Sequence, residues 1–269
     1  MSEIVADDGV TVVYDDHAPA AAGGSAGAAD LPPVVLHHGF AVDAHGNWGA
    51  TGVVDALVAA GRRVVALDAR GHGRSGTPHD PASYGEARMA RDLRQVIDAL
   101  GVPEVDLVGY SMGAVVALVL ATDEPRVRRL VVGGVGAGIV EQGGVDRRVL
   151  DNTALAAALL AEDPATIADP ESAGFRAFAD AQGADRRALA AHARVVHDTP
   201  IPIERIAAPT LVIVGDADPL AARPEVLAGP IPDCTLVRVP GDHVMAVVAP
   251  AFAPTLVAFL AGEDVSAAG

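Results

Sequence analysis

The 269-residue chain contains no lysine. Its 19 basic residues are all arginine, and 35 aspartates and glutamates outnumber them, for a formal charge of −16. Nucleic-acid binding needs a basic face that neutralises phosphates, and the pairs Arg62-Arg63, Arg128-Arg129, Arg147-Arg148 and Arg186-Arg187 never lengthen into a run. They read as parts of a solvated surface. Aromatic rings are scarce too, with five Phe, three Tyr and one Trp, so stacking platforms for bases are few. One cysteine, Cys234, excludes an intrachain disulfide and a thiolate zinc cluster. No apolar stretch reaches the roughly 18 residues of a membrane span, and the acidic start MSEIVADDGVTVVYDD lacks the basic-then-apolar pattern of an export signal. These absences predict a cytoplasmic protein with no membrane or nucleic-acid partner.

What is abundant is Ala, Val and Leu. With 51% hydrophobic residues the chain can fill one large core. Ile4–Val5 and Val10–Tyr14 read as a hairpin around Asp7-Asp8-Gly9, followed by HAPAAAGGSAGAADLPP, a surface loop of small residues. Strand-length apolar runs then alternate with helical patterns: 33–38, helix 49–60; 63–68, helix 84–100; 105–110, helix 112–122; and 128–135. The rhythm returns at 209–216 and 234–240 and closes with helix 248–261. Continuous β-branched runs imply strands buried on both faces, and the alternation implies a mostly parallel sheet with right-handed crossovers. About 70 residues separate the strand ending near Val135 from the one starting near Thr210, where a connection of about 2–6 is usual. They read as helices punctuated by Pro164, Pro170, Pro200 and Pro202, an insertion of the kind that forms a lid. The expected division is therefore a core of residues 1–137 and 206–269 with a helical cap at 138–205.

The strongest chemical signal is Gly109-Tyr110-Ser111-Met112-Gly113, a G-x-S-x-G where a strand ends and a helix begins. Glycines two before and two after the serine permit a sharp, strained turn that lifts Oγ out at the carboxyl end of the sheet. The serine also lies at a helix N-terminus, where free N–H groups and the dipole favour negative charge. A serine hydroxyl is a poor nucleophile unless a histidine oriented by a carboxylate takes its proton. Of nine histidines, only His243, in Pro240-Gly241-Asp242-His243, falls between the last strand and the final helix. Asp216 and Asp218 both follow the preceding strand. The chain order is serine, acid, histidine. A histidine acting as a neutral base predicts loss of activity on the acid side, near a pKa of about 6–7. His37, His38 and His45 show no ligand spacing with a carboxylate, so neither a metal nor any other cofactor is expected.

With these blocks the chain resembles the α/β-hydrolase fold superfamily, in its lid-bearing serine-esterase-like branch. The resemblance runs from about Val34 to Leu260 outside the insertion. It rests on His37-His38-Gly39-Phe40, on Asp68-Ala69-Arg70-Gly71-His72-Gly73-Arg74-Ser75, on the serine motif, and on Gly215-x-x-Asp218 with Gly241-Asp242-His243. It implies a mostly parallel central sheet flanked by helices, with the cap inserted between strands 6 and 7. Members place the acid three residues after the glycine ending its strand, which selects Asp218 and leaves Asp216 to cap or pair nearby. They build the oxyanion hole from two backbone N–H groups, here Phe40 and Met112. The Asp68–Ser75 block, His38 and His72 are expected to order loops. A serine at 111 excludes the carboxylate nucleophile of dehalogenases and epoxide hydrolases of this fold. The implied reaction is acyl transfer on a small to medium, apolar carboxylic ester. Perhydrolysis, carbon–carbon bond hydrolysis and a non-catalytic receptor retaining the triad are the alternatives. Trp48, Phe175 and Phe178 are candidate substrate-pocket residues, with Val195, Val196 and Ile201 as further apolar candidates; Arg176 or Arg194 would suffice for an anionic group.

Overall fold

The computed structural model describes residues 1–19 and 31–266. Most of the loop expected before residue 34 lies outside them. The first two strands, β1 (Ser2–Val5) and β2 (Thr11–His17), form the antiparallel hairpin around Gly9, whose φ of 84° suits only a residue without Cβ. Then follow β3 (Val34–His37), α1 (Val53–Ala59), β4 (Val64–Leu67), α2 (Glu86–Leu100), β5 (Val105–Tyr110), α3 (Met112–Ala121) and β6 (Val127–Gly133). After β6 come α4 (Gly138–Gln142), α5 (Asn152–Leu160), α6 (Pro170–Ala181) and α7 (Arg186–Ala193). The chain closes with β7 (Thr210–Gly215), α8 (Pro224–Ala228), β8 (Cys234–Val239) and α9 (Phe252–Ala261). The expected helices 49–60 and 248–261 begin later than predicted. Residues 45–49 form a short π-helical turn before α1, and a 3₁₀ turn at Ala246–Val248 precedes α9.

The eight strands lie in the order β1-β2-β4-β3-β5-β6-β7-β8, antiparallel at the hairpin end and parallel from β4 onward. Side chains alternate between two cores. Val35, Leu107, Leu130 and Val212 pack beneath α2 and α3, whereas Leu36, Val108, Val131 and Ile213 meet α1 and α9 on the other face. That is why the strand sequences read as unbroken apolar runs. Truncating one such residue, Leu107→Ala for example, should cost about 2–5 kcal/mol. No helix among the described residues is long and apolar enough to cross a membrane.

Helices α5, α6 and α7 gather around a third core of Leu150, Leu155, Leu159, Ala179 and Leu189, which also takes in Ala41 and Leu220 from the sheet's carboxyl edge. Each starts with an aspartate whose carboxylate accepts from the first turn: Asp151 from Ala154 N, Asp169 from Ser172 N, Asp185 from Arg187 N and Ala188 N. Part of the acidic excess is therefore helix capping. Arg176 is buried, donating to Asp180 and to the Ala158 and Ala161 carbonyls at the end of α5. It ties α6 to α5 and is unavailable to a substrate, contrary to expectation; Arg194 is exposed and does not line the cavity described below.

Candidate active site

Ser111 stands between β5 and α3 with φ 54° and ψ −117°, a conformation that costs a non-glycine residue about 1–3 kcal/mol. Its N–H donates to the Gly133 carbonyl at 2.8 Å, anchoring the turn to β6. The flanking glycines are dictated by space. A Cβ on Gly109 would overlap the Gly113 carbonyl, and one on Gly113 would overlap that of His37.

The structure brings Ser111, His243 and Asp218 into one line. The serine Oγ lies 2.9 Å from His243 Nε2, and His243 Nδ1 lies 2.8 Å from Asp218 Oδ2. A carboxylate can only accept, so Nδ1 carries the proton and Nε2 is left to accept from the serine hydroxyl. Asp218 is held by Leu220 N and Ala221 N on its other oxygen. The Tyr110 hydroxyl donates to the His243 carbonyl at 2.8 Å, fixing the histidine loop from within the serine motif. Asp216 accepts from Gly241 N at 3.0 Å and pins the turn that precedes His243. A hydroxyl, an imidazole and a carboxylate in this order can relay a proton while the oxygen attacks a carbonyl.

The turn after β3 runs against the serine. A Cβ placed on Gly39 would stand 3.4 Å from that of Ser111. Gly39 N donates to the buried Asn47 side chain at 2.8 Å. His38 Nε2 accepts from Ala69 N at 2.9 Å, so Nδ1 is protonated and donates to the Gly39 carbonyl at 2.7 Å. This locks the Gly39–Phe40 peptide plane. Among the described residues, neither Phe40 N–H nor Met112 N–H takes a partner in the turns around the site. Phe40 is followed by Ala41 at φ 61°, so the turn after β3 carries a strained residue as the serine turn does. Burial keeps the neighbouring imidazoles neutral: His38 titrates well below the usual histidine range, His37 is pushed down to about 4 and His72 to about 3.

The Asp68–Ser75 block is structural. Arg70 is fully buried against Asp92, Asp8 and the Ser83 carbonyl, while Asp68 accepts from Ala44 N and from Arg74. It ties the N-terminal hairpin and α2 to the loop beneath Phe40.

A cavity of about 730 Å³ opens at Ser111 and His243. Phe40, Phe175 and Phe178 line it, with Val149, Leu150, Thr51, Asn47 and the loop Val244–Val248. Trp48, expected at the pocket, is instead fully buried in the core, edge-on to Tyr110 with ring centroids 6.4 Å apart. A π-helical turn rotates it away from the site. Val195 and Ile201 likewise pack into the core beneath the sheet edge. Glu171 and Asp242 are the charged carboxylates on the cavity wall, and no arginine lines it among the described residues. His38 orders the loop as expected, whereas sequence reasoning missed Asn47 and the Tyr110 tether. Only Tyr110 had a signal, its place within the serine motif.

A family model described as alpha/beta hydrolase fold matches residues 32–135. Over 108 residues the chain is 43% identical to the sn-1-specific diacylglycerol lipase ABHD11 of Mus musculus, a match covering 39% of this chain and 33% of that protein. It is 40% identical over 118 residues to a 2-hydroxy-6-oxo-2,4-heptadienoate hydrolase of Pseudomonas putida, covering 42% of this chain and 41% of that one. The chain thus spans less than half the length of these curated relatives. The crystal structure of a hydrolase from Pseudomonas aeruginosa PA01 superposes with a TM-score of 0.75 at 31% identity, covering 96% of this chain and 97% of the other.

Proposed function

The chain belongs to the α/β-hydrolase fold superfamily, and from that premise we propose that it is a serine hydrolase cleaving a neutral, largely apolar carboxylic ester. The observation that carries the proposal is the unbroken contact line from Ser111 Oγ through His243 to Asp218. Ser111 Oγ attacks the ester carbonyl carbon as His243 Nε2 takes its proton. The carbonyl oxygen becomes an oxyanion received by the Phe40 and Met112 N–H groups, a pair of donors each worth about 3–4 kcal/mol in related chemistry. The carbon–oxygen bond to the alcohol then breaks, and His243 returns the proton to the departing oxygen. Water, deprotonated by His243, attacks the acyl-serine, releases the acid and restores the enzyme. Residues 138–205 act as the cap over this site, and Phe175 and Phe178 as part of its apolar wall.

Carbon–carbon bond hydrolysis uses the same acyl chemistry, and several sequence relatives, the 2-hydroxy-6-oxo-2,4-heptadienoate hydrolase among them, are hydrolases of that kind. That relative's heptadienoate substrate is a carboxylate by name. A cavity whose carboxylates are Glu171 and Asp242 and which no arginine lines repels such a group, which favours the ester. A p-nitrophenyl ester series with fluorophosphonate labelling tests the proposal. Turnover is expected, with Ser111 as the labelled residue. No turnover together with no label at Ser111 would sink it.

A further inference from the structure

A second, smaller cavity of about 40 Å³ also opens onto Ser111. It shares Phe40, Leu150, Phe175 and Leu220 with the large one, but it is lined by Met112 and not by His243. In acyl transfer the proton taken from the serine must be handed to the departing oxygen, so the leaving group has to lie on the histidine's side. His243 borders only the large cavity, so the alcohol belongs there. The acyl group, with its oxygen at the Phe40 and Met112 N–H groups, then points into the small one. On the scale of roughly 10–15 Å³ per water-sized centre, that space takes about three or four atoms beyond the carbonyl.

Two ionisable side chains, Glu86 and His192, stand in the otherwise largely apolar lining of the small cavity. Glu86, the first residue of α2, is 2% exposed, and His192, in the last turn of α7, is 1% exposed. Glu86 Oε2 accepts from His197 N at 2.5 Å. Its other oxygen stands 3.6 Å from His192 Nε2, too far for a hydrogen bond, and neither ring nitrogen of His192 has a partner. The imidazole is held in place, stacked on Tyr84 with centroids 5.6 Å apart and 17° between planes, and 5.5 Å from Phe40. Asn152 completes the lining on the cap side. The unpaired, fixed nitrogens of buried His192, with the Glu86 carboxylate beside them, at the edge of a space three or four atoms deep suit a hydroxyl, because it both donates and accepts.

Resting on the serine-hydrolase reading above, we propose that the enzyme is selective for esters joining a short hydroxyacyl group to a bulky apolar alcohol. The acyl hydroxyl lies between Glu86 and His192. Ser111 Oγ bonds to the acyl carbon, the alcohol departs with the serine's former proton, and water releases the free hydroxy acid. An acyl chain without the hydroxyl leaves the His192 nitrogens unpaired, and a long one does not fit.

The test compares kcat/KM for p-nitrophenyl acetate, butyrate, 3-hydroxybutyrate and octanoate, and for butyrate esters of methyl, butyl and octyl alcohols. Expected are 3-hydroxybutyrate about 10-fold above butyrate, octanoate at least about 100-fold below it, and little loss from methyl to octyl alcohol. His192→Phe, which keeps a ring against Tyr84, and Glu86→Gln should each erase the hydroxyl preference. Should a variant fail to fold, the wild-type ratios decide alone. Octanoate cleaved as well as butyrate, or no preference for 3-hydroxybutyrate, overturns the inference while leaving the serine-hydrolase reading intact. Absence of all turnover with no fluorophosphonate label on Ser111 overturns both.

Discussion

At the scale of single residues, the site is decided by which polar atoms are already engaged. Asp216 and Asp218 are two positions apart and chemically alike, yet one is spent on Gly241 N and the other faces His243. Asp218→Asn should therefore lower kcat by about 10³–10⁴-fold, because an amide no longer enforces the Nδ1–H tautomer. Asp216→Asn should cost at most a few-fold. Steady-state kinetics on one ester compares the two. Ser111→Ala should remove activity to a similar or greater degree, with the melting temperature unchanged or raised as the strained serine's interactions relax. His38 acts through the Gly39 carbonyl. His38→Ala should reduce kcat by about tenfold with KM near wild type, the pattern of an interaction that strengthens only in the transition state. A change confined to KM would assign His38 to substrate binding instead. The choice of Asp218 over Asp216 and a loop-ordering His38 were legible through the family resemblance, but not which His38 nitrogen bonds what, since a histidine beside a glycine does not announce it.

At the scale of elements, local signals were strong where the chain must turn sharply or cap a helix. The serine motif predicted the β5–α3 turn, and the overlaps at Gly109 and Gly113 supply the reason. Gly113→Ala should abolish both folding yield and activity, since the clash is with backbone and cannot be relieved by a rotamer change. Aspartates preceding α5, α6 and α7 are similarly readable as N-caps. The C-terminal end of α5 is different: its Ala158 and Ala161 carbonyls are satisfied by Arg176 from the next helix. Arg176→Ala should destabilise the chain by about 1–3 kcal/mol, because the half-buried Ala161 carbonyl loses its partner, Ala158 keeps only the Ala161 N–H, and the Asp180 pair is lost. Hydrogen exchange should place the loosening in residues 152–181, ahead of the sheet. Faster exchange spread evenly over the molecule would contradict that tie. Trp48 was misplaced for an element-level reason: a helical turn of unusual pitch sets its direction, and eight residues of separation from Phe40 do not reveal it.

At the scale of the whole molecule, three of the buried imidazoles, His37, His38 and His72, cluster at the turn after β3. Burial holds His37 down to about 4, His72 to about 3 and His38 well below its usual range. The unfolded chain binds protons at these positions below about pH 6.5, and the native chain refuses them until the lowered values are reached. The unfolded state thus carries more protons across that window, so stability rises with pH and is lost on acidification, by about 1.4 kcal/mol per pH unit for each such histidine. Thermal unfolding should show the melting temperature falling steadily from pH 7 to pH 4.5; a flat profile over that range would contradict the buried neutral histidines. The sequence by itself determined the alternating strands and helices, the serine turn, and the exclusion of disulfides and thiolate zinc clusters, because periodicity, glycine placement and residue counts are local properties. Only the tertiary structure decided that Asp216 pins the turn before His243 and that Trp48 faces the core. It alone set two cavities of unequal size against Ser111 and left His192 unpaired beside Glu86. Those outcomes depend on which atoms from distant segments arrive within hydrogen-bond reach, a matter of packing that no spacing along the chain encodes.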